Sequence, residues 1–463
     1  MKHDPSYPTW ANRRYRVEAF DLWHYYSWHR YESCIRMQID FDGHLDEALL
    51  AEAFEQSCVT FPLIVCAFDV SPLIRPRWVL RREAVREILR VIEAQDNREE
   101  EIQRAFARTM NIKEGPQLYV TLVRDTQGDS LCLTINHMVC DAAGFKQYLR
   151  ELARLYSRIA EGLDPSPTPV VAQRSSWPLV RELTVKEQFQ ALFISPRPNL
   201  VGIIKSHKPA PLVLESSPFS LVTASLSAED FKHLRAAAKA LGFTVNTLFM
   251  SALALAWHRM CGVDEFLLPW AMDVRAFVPP DVRMGITNLT RECLCTIQLS
   301  SDDTMEDVMA QYAKEMNVYR QRLVGVSQLF RWELFMWVLY FRLGDRILRH
   351  LLVPYPLSAT NMGIVDEDCV RFGDVSVRSA HMAAAVVPFP AFTIALSTFR
   401  DELTLSTSIE GNEEAKAVAC TFLATILDEL LVFGSRHATA DGRRHGNTAD
   451  NAMVNDAEVE HGV

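Results

Sequence analysis

His137 and Asp141 stand four residues apart in the stretch Leu131-Cys132-Leu133-Thr134-Ile135-Asn136-His137-Met138-Val139-Cys140-Asp141-Ala142-Ala143-Gly144. A neutral imidazole, with a pKa near working pH, is the side chain best suited to take a proton from an attacking hydroxyl or amine. A carboxylate four residues on could orient that ring or hold the loop around it. Spacing alone has little weight, because His437 and Asp441 repeat it in a polar stretch late in the chain. Context separates the two copies.

The apolar run 131–135, preceded by the turn residues Gly128, Asp129 and Ser130, predicts a strand. Tyr148, Leu149, Leu152, Leu155, Tyr156 and Ile159 recur on one helical face, and Asp141 stands where an acidic residue suits a helix start. His137 is therefore expected at a strand's end, facing a helix N-terminus. Before it, the pattern predicts an ordered aromatic stretch over 13–31, a strand over 34–41, a helix from Leu45 to Val59 and a strand over 117–124. Residues 74–90 carry six arginines and read equally as strand or helix, their charge as a solvated face or a landing site for an anion.

Nine of the 22 prolines fall between Pro165 and Pro218 and mark a connection between domains. Beyond it the pattern predicts a strand over 221–226, a helix over 228–241 opened by Ser227 and Asp230 in a capping box, and a helix over 245–261. Strands are expected near 266–273, 292–299, 357–364, 370–380, 391–399 and 402–409, with helices from 304 and 328 and a last helix over 413–432. The expected division is 1–170, a connection over 171–218, 219–433, and a disordered tail over 434–463. Strands and helices intermingle in both halves, which makes the class α/β (α+β).

With 463 residues, 49% apolar and 10% aromatic, the chain can bury a large core. A net charge of -10 leaves no global basic footprint, so no nucleic-acid partner is expected. Ten cysteines without a Cys-x-x-Cys pair suggest a reducing compartment and no zinc cluster. The first sixteen residues carry charge and proline and no apolar secretory core, so a cytoplasmic location is expected. The apolar run Leu334 to Phe341 ends at Arg342, too short to cross a bilayer. It suits a core helix, the lining of a greasy pocket, or peripheral membrane contact. There is no glycine-rich phosphate cradle and no Gly-x-Ser-x-Gly elbow.

Asn136 to Ala142, set between strand and helix, resembles the His-His-x-x-x-Asp-Gly motif of the condensation-domain and acyltransferase superfamily, whose fold is that of chloramphenicol acetyltransferase. Trp270 to Arg275 resembles that family's strand ending in an arginine, Met284 to Leu289 its Gly-x-x-Asn segment, Ser358 to Gly363 its late Ser-Asn-x-Gly loop, and Thr244 to Cys261 one of its helices. Asn136 replaces the first histidine and Ala142 the glycine. The resemblance implies two chloramphenicol acetyltransferase-like subdomains, each a mixed sheet flanked by helices, in a V-shaped pseudo-dimer. It implies a general base at His137 and a structural ion pair between Asp141 and Arg275.

Oxyanion candidates are the N–H groups of Ala142, Ala143 and Gly144 at the helix start, with the side chains of Asn136 and Asn361. Asn288, Ser358, Thr360 and Gly363 are candidates for the substrate channel. The resemblance further implies an acyl-CoA, or a phosphopantetheine thioester on an acyl-carrier protein, as co-substrate rather than a bound cofactor. The acceptor would be a small or lipid-like alcohol or amine that attacks the thioester directly, without an acyl-enzyme. Two other readings are a catalytically inactive condensation-like module that binds a carrier protein or acyl chain, and a metal-dependent hydrolase built on His137, Cys140 and Asp141. The second has no further ligand cluster in the sequence.

Overall fold

In the computed structural model, residues 14–28, 32–71, 75–168, 174–194, 218–338 and 355–444 are described. The stretch around His137 folds as strand, loop and helix. The motif strand Gly128–Asn136 lies in the middle of a five-stranded sheet ordered Val377–Ala383, Cys34–Phe41, Gly128–Asn136, Leu118–Asp125, Leu89–Glu93. It pairs antiparallel with both neighbours. All nine of its positions are buried, as expected of a strand covered on both faces. Leu131, Leu133 and Ile135 enter the core that holds Leu149 and Leu152 of the motif helix, and Cys132 faces Ile102 and Phe106 on the other side. Gly128 belongs to this strand rather than to the turn, and a Cβ there would collide with the Phe41 carbonyl.

The motif helix, Ala142–Ala160, buries Phe145, Tyr148, Leu149, Leu152, Leu155 and Tyr156 on one face. Tyr148 Oη and Ser57 Oγ share a 2.9 Å hydrogen bond, and Tyr156 Oη accepts one from the Asp46 N–H. The helix is thereby fixed against its neighbour Glu47–Thr60. Its start is consequently a rigid reference point for the loop that carries His137.

The second large sheet runs Thr290–Gln298, Glu265–Asp273, Leu357–Ile364, Phe392–Phe399, Glu402–Glu410, Val387–Pro388, with Phe219–Leu226 also paired to Glu402–Glu410. A small third sheet joins Arg14–Arg16, Arg77–Leu80 and Cys66–Asp69. The strand Val377–Ala383 leaves the later half of the chain and pairs with Cys34–Phe41 in the first sheet. A cut between 219–433 and the rest therefore passes through a hydrogen-bonded ladder. The exchange gives Cys34–Phe41 a second partner and moves the sheet's edge to Val377–Ala383.

Other expectations shift. The segment 74–90 resolves into the strand Arg77–Leu80 and a 3-10 turn Arg82–Glu87, followed by the strand Leu89–Glu93. The connection holds helices Trp177–Arg181 and Val185–Phe193. The helix expected from 328 begins at Arg322 and is described to Val338, and the rest of that expectation, to 352, lies outside the described residues. The last helix runs Glu413–Arg444, so the tail expected from Gly434 is helical as far as the described residues go, and His437 and Asp441 sit on it. Its part Glu413–His437 is long and apolar enough to cross a bilayer by length and composition. Here Ala415, Ala419, Phe422, Leu423, Ile426, Leu430 and Phe433 pack into the second core.

Leu149→Ala removes a fully buried side chain from the motif helix and should lower unfolding stability by about 2–5 kcal/mol. Arg150→Ala, next to it on the exposed side, should change stability by no more than about 0.5 kcal/mol. Urea unfolding of the two variants checks the contrast.

Candidate active site

Asp141 caps the motif helix by accepting a 2.9 Å hydrogen bond from the Gly144 N–H. Both its oxygens also take one Arg275 nitrogen each at 2.8 Å, in a bidentate pair. The Leu289 N–H and Thr290 Oγ1 donate to Oδ2 at 2.8 and 3.0 Å. Arg275 sits just past the strand Glu265–Asp273 of the second sheet, so this cluster ties the two halves of the chain together. Burial by itself would raise the Asp141 pKa, but Arg275 and the N–H donors outweigh it and hold the carboxyl below the usual carboxylate range. Asp141 is a structural anchor. No oxygen is left to orient an imidazole.

That task falls to Asn288. Its Nδ2 donates to the carbonyls of His137 and Met138 at 2.8 and 3.2 Å, which fixes the carboxamide's orientation. Its Oδ1, an acceptor only, then faces His137 Nδ1 at 3.2 Å. The ring proton therefore sits on Nδ1, and Nε2 keeps a free lone pair. Burial holds the His137 pKa below the ordinary histidine value, against the raising effects of its own backbone, Asp141 and Asn288. His24, from helix Ala19–Ser27, stacks on the ring at 3.8 Å between centroids and 20° between planes. Ser33 bonds His24 Nδ1 through its hydroxyl and the His137 N–H through its carbonyl. Burial and the neighbouring His137 hold the His24 pKa well below the ordinary value, so both rings are neutral near pH 7.

Asn136 turns away from this site. Its Nδ2 donates to Gln117 Oε1 at 2.6 Å and its Oδ1 accepts from the Met138 N–H, so it shapes the turn and supplies no oxyanion donor. The Gly144 N–H is likewise committed to Asp141. A Cβ at 144 would lie 2.9 Å from Cys140 Cβ and 3.0 Å from the Thr287 carbonyl, so this glycine permits close packing against the other half. The N–H groups of Ala142 and Ala143, at the start of the helix, have no partner among the described residues.

Asn361 Oδ1 takes the Gly363 N–H, and its Nδ2 lies 3.5 Å from Asn246 Oδ1. Ser358 bonds Thr393 across a strand pair, and Thr360 is partly exposed on the same strand. Beside Gly363, which has positive φ, Lys146 Nζ donates to the Met362 and Ile364 carbonyls at 2.8 Å. Cys140 is buried, its thiol pKa pushed well up by burial, and does not converge with His137 and Asp141 on a common point.

Sequence reasoning missed Arg174. It bonds Asp21 through two nitrogens at 3.1 and 3.0 Å, the Val139 carbonyl at 3.0 Å and the Ile286 carbonyl at 3.2 Å. Its own carbonyl accepts from Thr287 Oγ1. A lone arginine in a proline-rich connection has no local pattern that signals this role. His24 was hidden likewise, as one ring in an aromatic stretch.

No family model matches the sequence. Over 209 residues, 43% of this chain, it is 24% identical to a nonribosomal peptide synthetase, kk1B, from Curvularia clavata, and it spans 2% of that protein's length. Among solved structures it is similar to the trichothecene 15-O-acetyltransferase TRI3 from Fusarium sporotrichioides, with a TM-score of 0.68, 15% identity, and 93% of this chain and 97% of that one covered. It is similar to the first condensation domain of the CDA synthetase at a TM-score of 0.64 and 14% identity, with 91% and 97% covered. This chain has the condensation-domain fold. Polyketide synthase associated protein 5 from Mycobacterium tuberculosis also shares it, at a TM-score of 0.65 and 16% identity, with 91% and 98% covered. The mixed sheets flanked by helices are thus the chloramphenicol acetyltransferase-like fold expected from the motif order.

Asp141→Asn should destabilise the fold by about 3 kcal/mol at pH 7, because it removes the bidentate partner of the Arg275 charge and leaves only the single contact to Asp273. The Asp141 pKa is lowered in the folded state, so the ion pair's contribution is fully present above the ordinary carboxylate value. It is lost as pH falls through the folded value. The stability gap between wild type and Asp141→Asn, read by urea unfolding, should be constant from pH 7 to about 5 and shrink below about 4.

Proposed function

We propose that this protein transfers an acyl group from a thioester to a hydroxyl or amine acceptor, with His137 Nε2 as the general base. The observation that carries the proposal is the Asn288 carboxamide, which holds the proton on Nδ1 and leaves Nε2 able to accept one. A lowered pKa suits this role, since the ring is deprotonated before the substrates meet.

The acceptor's X–H proton moves to Nε2 as X attacks the thioester carbon and the carbonyl π-electrons move onto oxygen. The free Ala142 and Ala143 N–H groups at the helix start would hold that oxyanion. Collapse of the tetrahedral intermediate breaks the C–S bond, and the departing thiolate takes the proton back from Nε2. The products are the ester or amide and the free thiol, with His137 restored. No acyl-enzyme is needed.

Asn136, in the place of the family's first histidine, does not weaken this reading, because that position points into the turn. Ala142 is equally harmless, since it occupies an ordinary helical position and needs no glycine conformation. The names of the similar proteins support a thiol-bound donor, either an acyl-CoA or an acyl group on a carrier protein's phosphopantetheine. The acceptor is a small or lipid-like alcohol or amine, and a cytoplasmic site of action goes with this reading.

Thiol release from acyl-CoA and acyl-pantetheine panels with pooled alcohols and amines tests the proposal. His137→Ala should lower acceptor-dependent release by about 10²–10⁴-fold while leaving the fold intact. Asn288→Ala should cause a smaller loss. In the wild type, kcat/KM should rise with pH through a value below about 6.5 and be flat above it. Release indifferent to His137 would overturn the mechanism.

A further inference from the structure

The edge strand Thr290–Gln298 alternates strictly. Arg291, Cys293, Cys295 and Ile297 are buried, the last three in the second core, while Thr290, Glu292, Leu294 and Thr296 keep accessible surface on the opposite face. Thr290 Oγ1 touches Asp141, so that opposite face looks toward the motif loop. Farther along the same sheet, Ala395 and Met362 pack into the core of the first half, which confirms the direction. Glu292 is the next side chain after Thr290 on this face, one two-residue step or about 7 Å along the strand.

Glu292 lies across from Ala271, and the register Ala359↔Trp270 brings Thr360 into line beyond that methyl group. A carboxylate thus borders a row of small and hydroxyl-bearing side chains beside the candidate site. Glu292 is partly buried and keeps accessible surface, as His137 does. Asp141 and Asp273 are both bonded to Arg275, the latter at 3.2 Å, whereas the Glu292 carboxyl has no hydrogen bond or ion pair among the described residues, and it is the backbone carbonyl that accepts from Arg291 Nε. Its neighbour Arg291 points to the other face, where it donates to the Val324 and Gly325 carbonyls.

An enclosed carboxylate without a partner is costly, and burial pushes this one up to about 7. A cationic ligand would supply the missing charge. Resting on the acyl-transfer reading, we propose that Glu292 is a specificity-determining residue that binds an ammonium group on the acceptor, apart from the nucleophilic atom. The donor's pantetheine arm is neutral and its phosphates are anionic, so neither supplies the cation, and the proposal assigns it to the acceptor. The bound ammonium stays protonated throughout, and the transferred proton still moves between the acceptor's own X–H and His137.

Three probes of one length separate the cases: 6-amino-1-hexanol, 1-hexanol and 6-hydroxyhexanoate. Their binding to the full chain is read by ligand-observed NMR, independently of turnover, and each is then used as acceptor in the thiol-release assay. The wild type should bind 6-amino-1-hexanol at least tenfold more tightly than 1-hexanol, and Glu292→Gln should abolish that preference through KM with little change in kcat for 1-hexanol. Glu292→Lys should favour 6-hydroxyhexanoate instead. Equal binding of amine and alcohol by the wild type, or a preference that survives in Glu292→Gln, overturns the assignment. A fall in kcat for all three acceptors in Glu292→Gln also overturns it, and would make Glu292 a proton-handling group. If no acceptor gives thiol release but the binding preference follows Glu292, the transfer reading fails and the cation subsite stands.

Discussion

The Asp141–Arg275 pair is the contact on which the site's geometry depends. Three separate pieces of chain meet at one carboxylate: the motif loop with the first turn of its helix, the residue past the strand Glu265–Asp273, and the segment 289–290. A buried ion pair is a doubtful source of net stability. Its value here is positional, since the two bonds of the bidentate pair fix both the distance and the angle between the two segments. Arg174 and Lys146 add further ties, Arg174 from the connection donating to the Val139 and Ile286 carbonyls and Lys146 to the Met362 and Ile364 carbonyls.

From that constraint the state of the base follows. Asp141 holds segment 287–290 against the motif loop, which brings Asn288 within reach of His137. The orienting partner of the imidazole is therefore a neutral carboxamide rather than a carboxylate. A carboxylate at Nδ1 would stabilise the imidazolium and raise the pKa, whereas the carboxamide selects the tautomer and leaves burial in control. The stacked His24 ring closes one side of the imidazole without adding charge near pH 7.

Much of the architecture was legible in local pattern. The strand that leads to His137, the helix after Asp141 and the helix 245–261 all appear where periodicity placed them, because each is decided by its own apolar residues. The short helices Trp177–Arg181 and Val185–Phe193 were not legible, since they owe their stability to packing against the helix Arg322–Val338 rather than to propensity. The motif's resemblance brought Asp141 and Arg275 together, and the two are bonded. The chemistry of the loop and helix start offered Asn136 and Gly144 as oxyanion donors, and both are consumed by local hydrogen bonds that spacing cannot reveal.

The sequence by itself determined the residues able to do chemistry, the elements that carry them and the order of those elements. These are properties of short windows, in which a period of two or of three to four dictates which face is buried. Only the tertiary structure decided that Asn288, 151 residues from His137, selects its tautomer, that the strand Val377–Ala383 crosses into the first sheet, and that Glu292 faces the site without a partner. Those are distances between segments far apart in the chain. They are fixed by where closed cores and hydrogen-bonded ladders allow each piece to lie, and no local pattern encodes them.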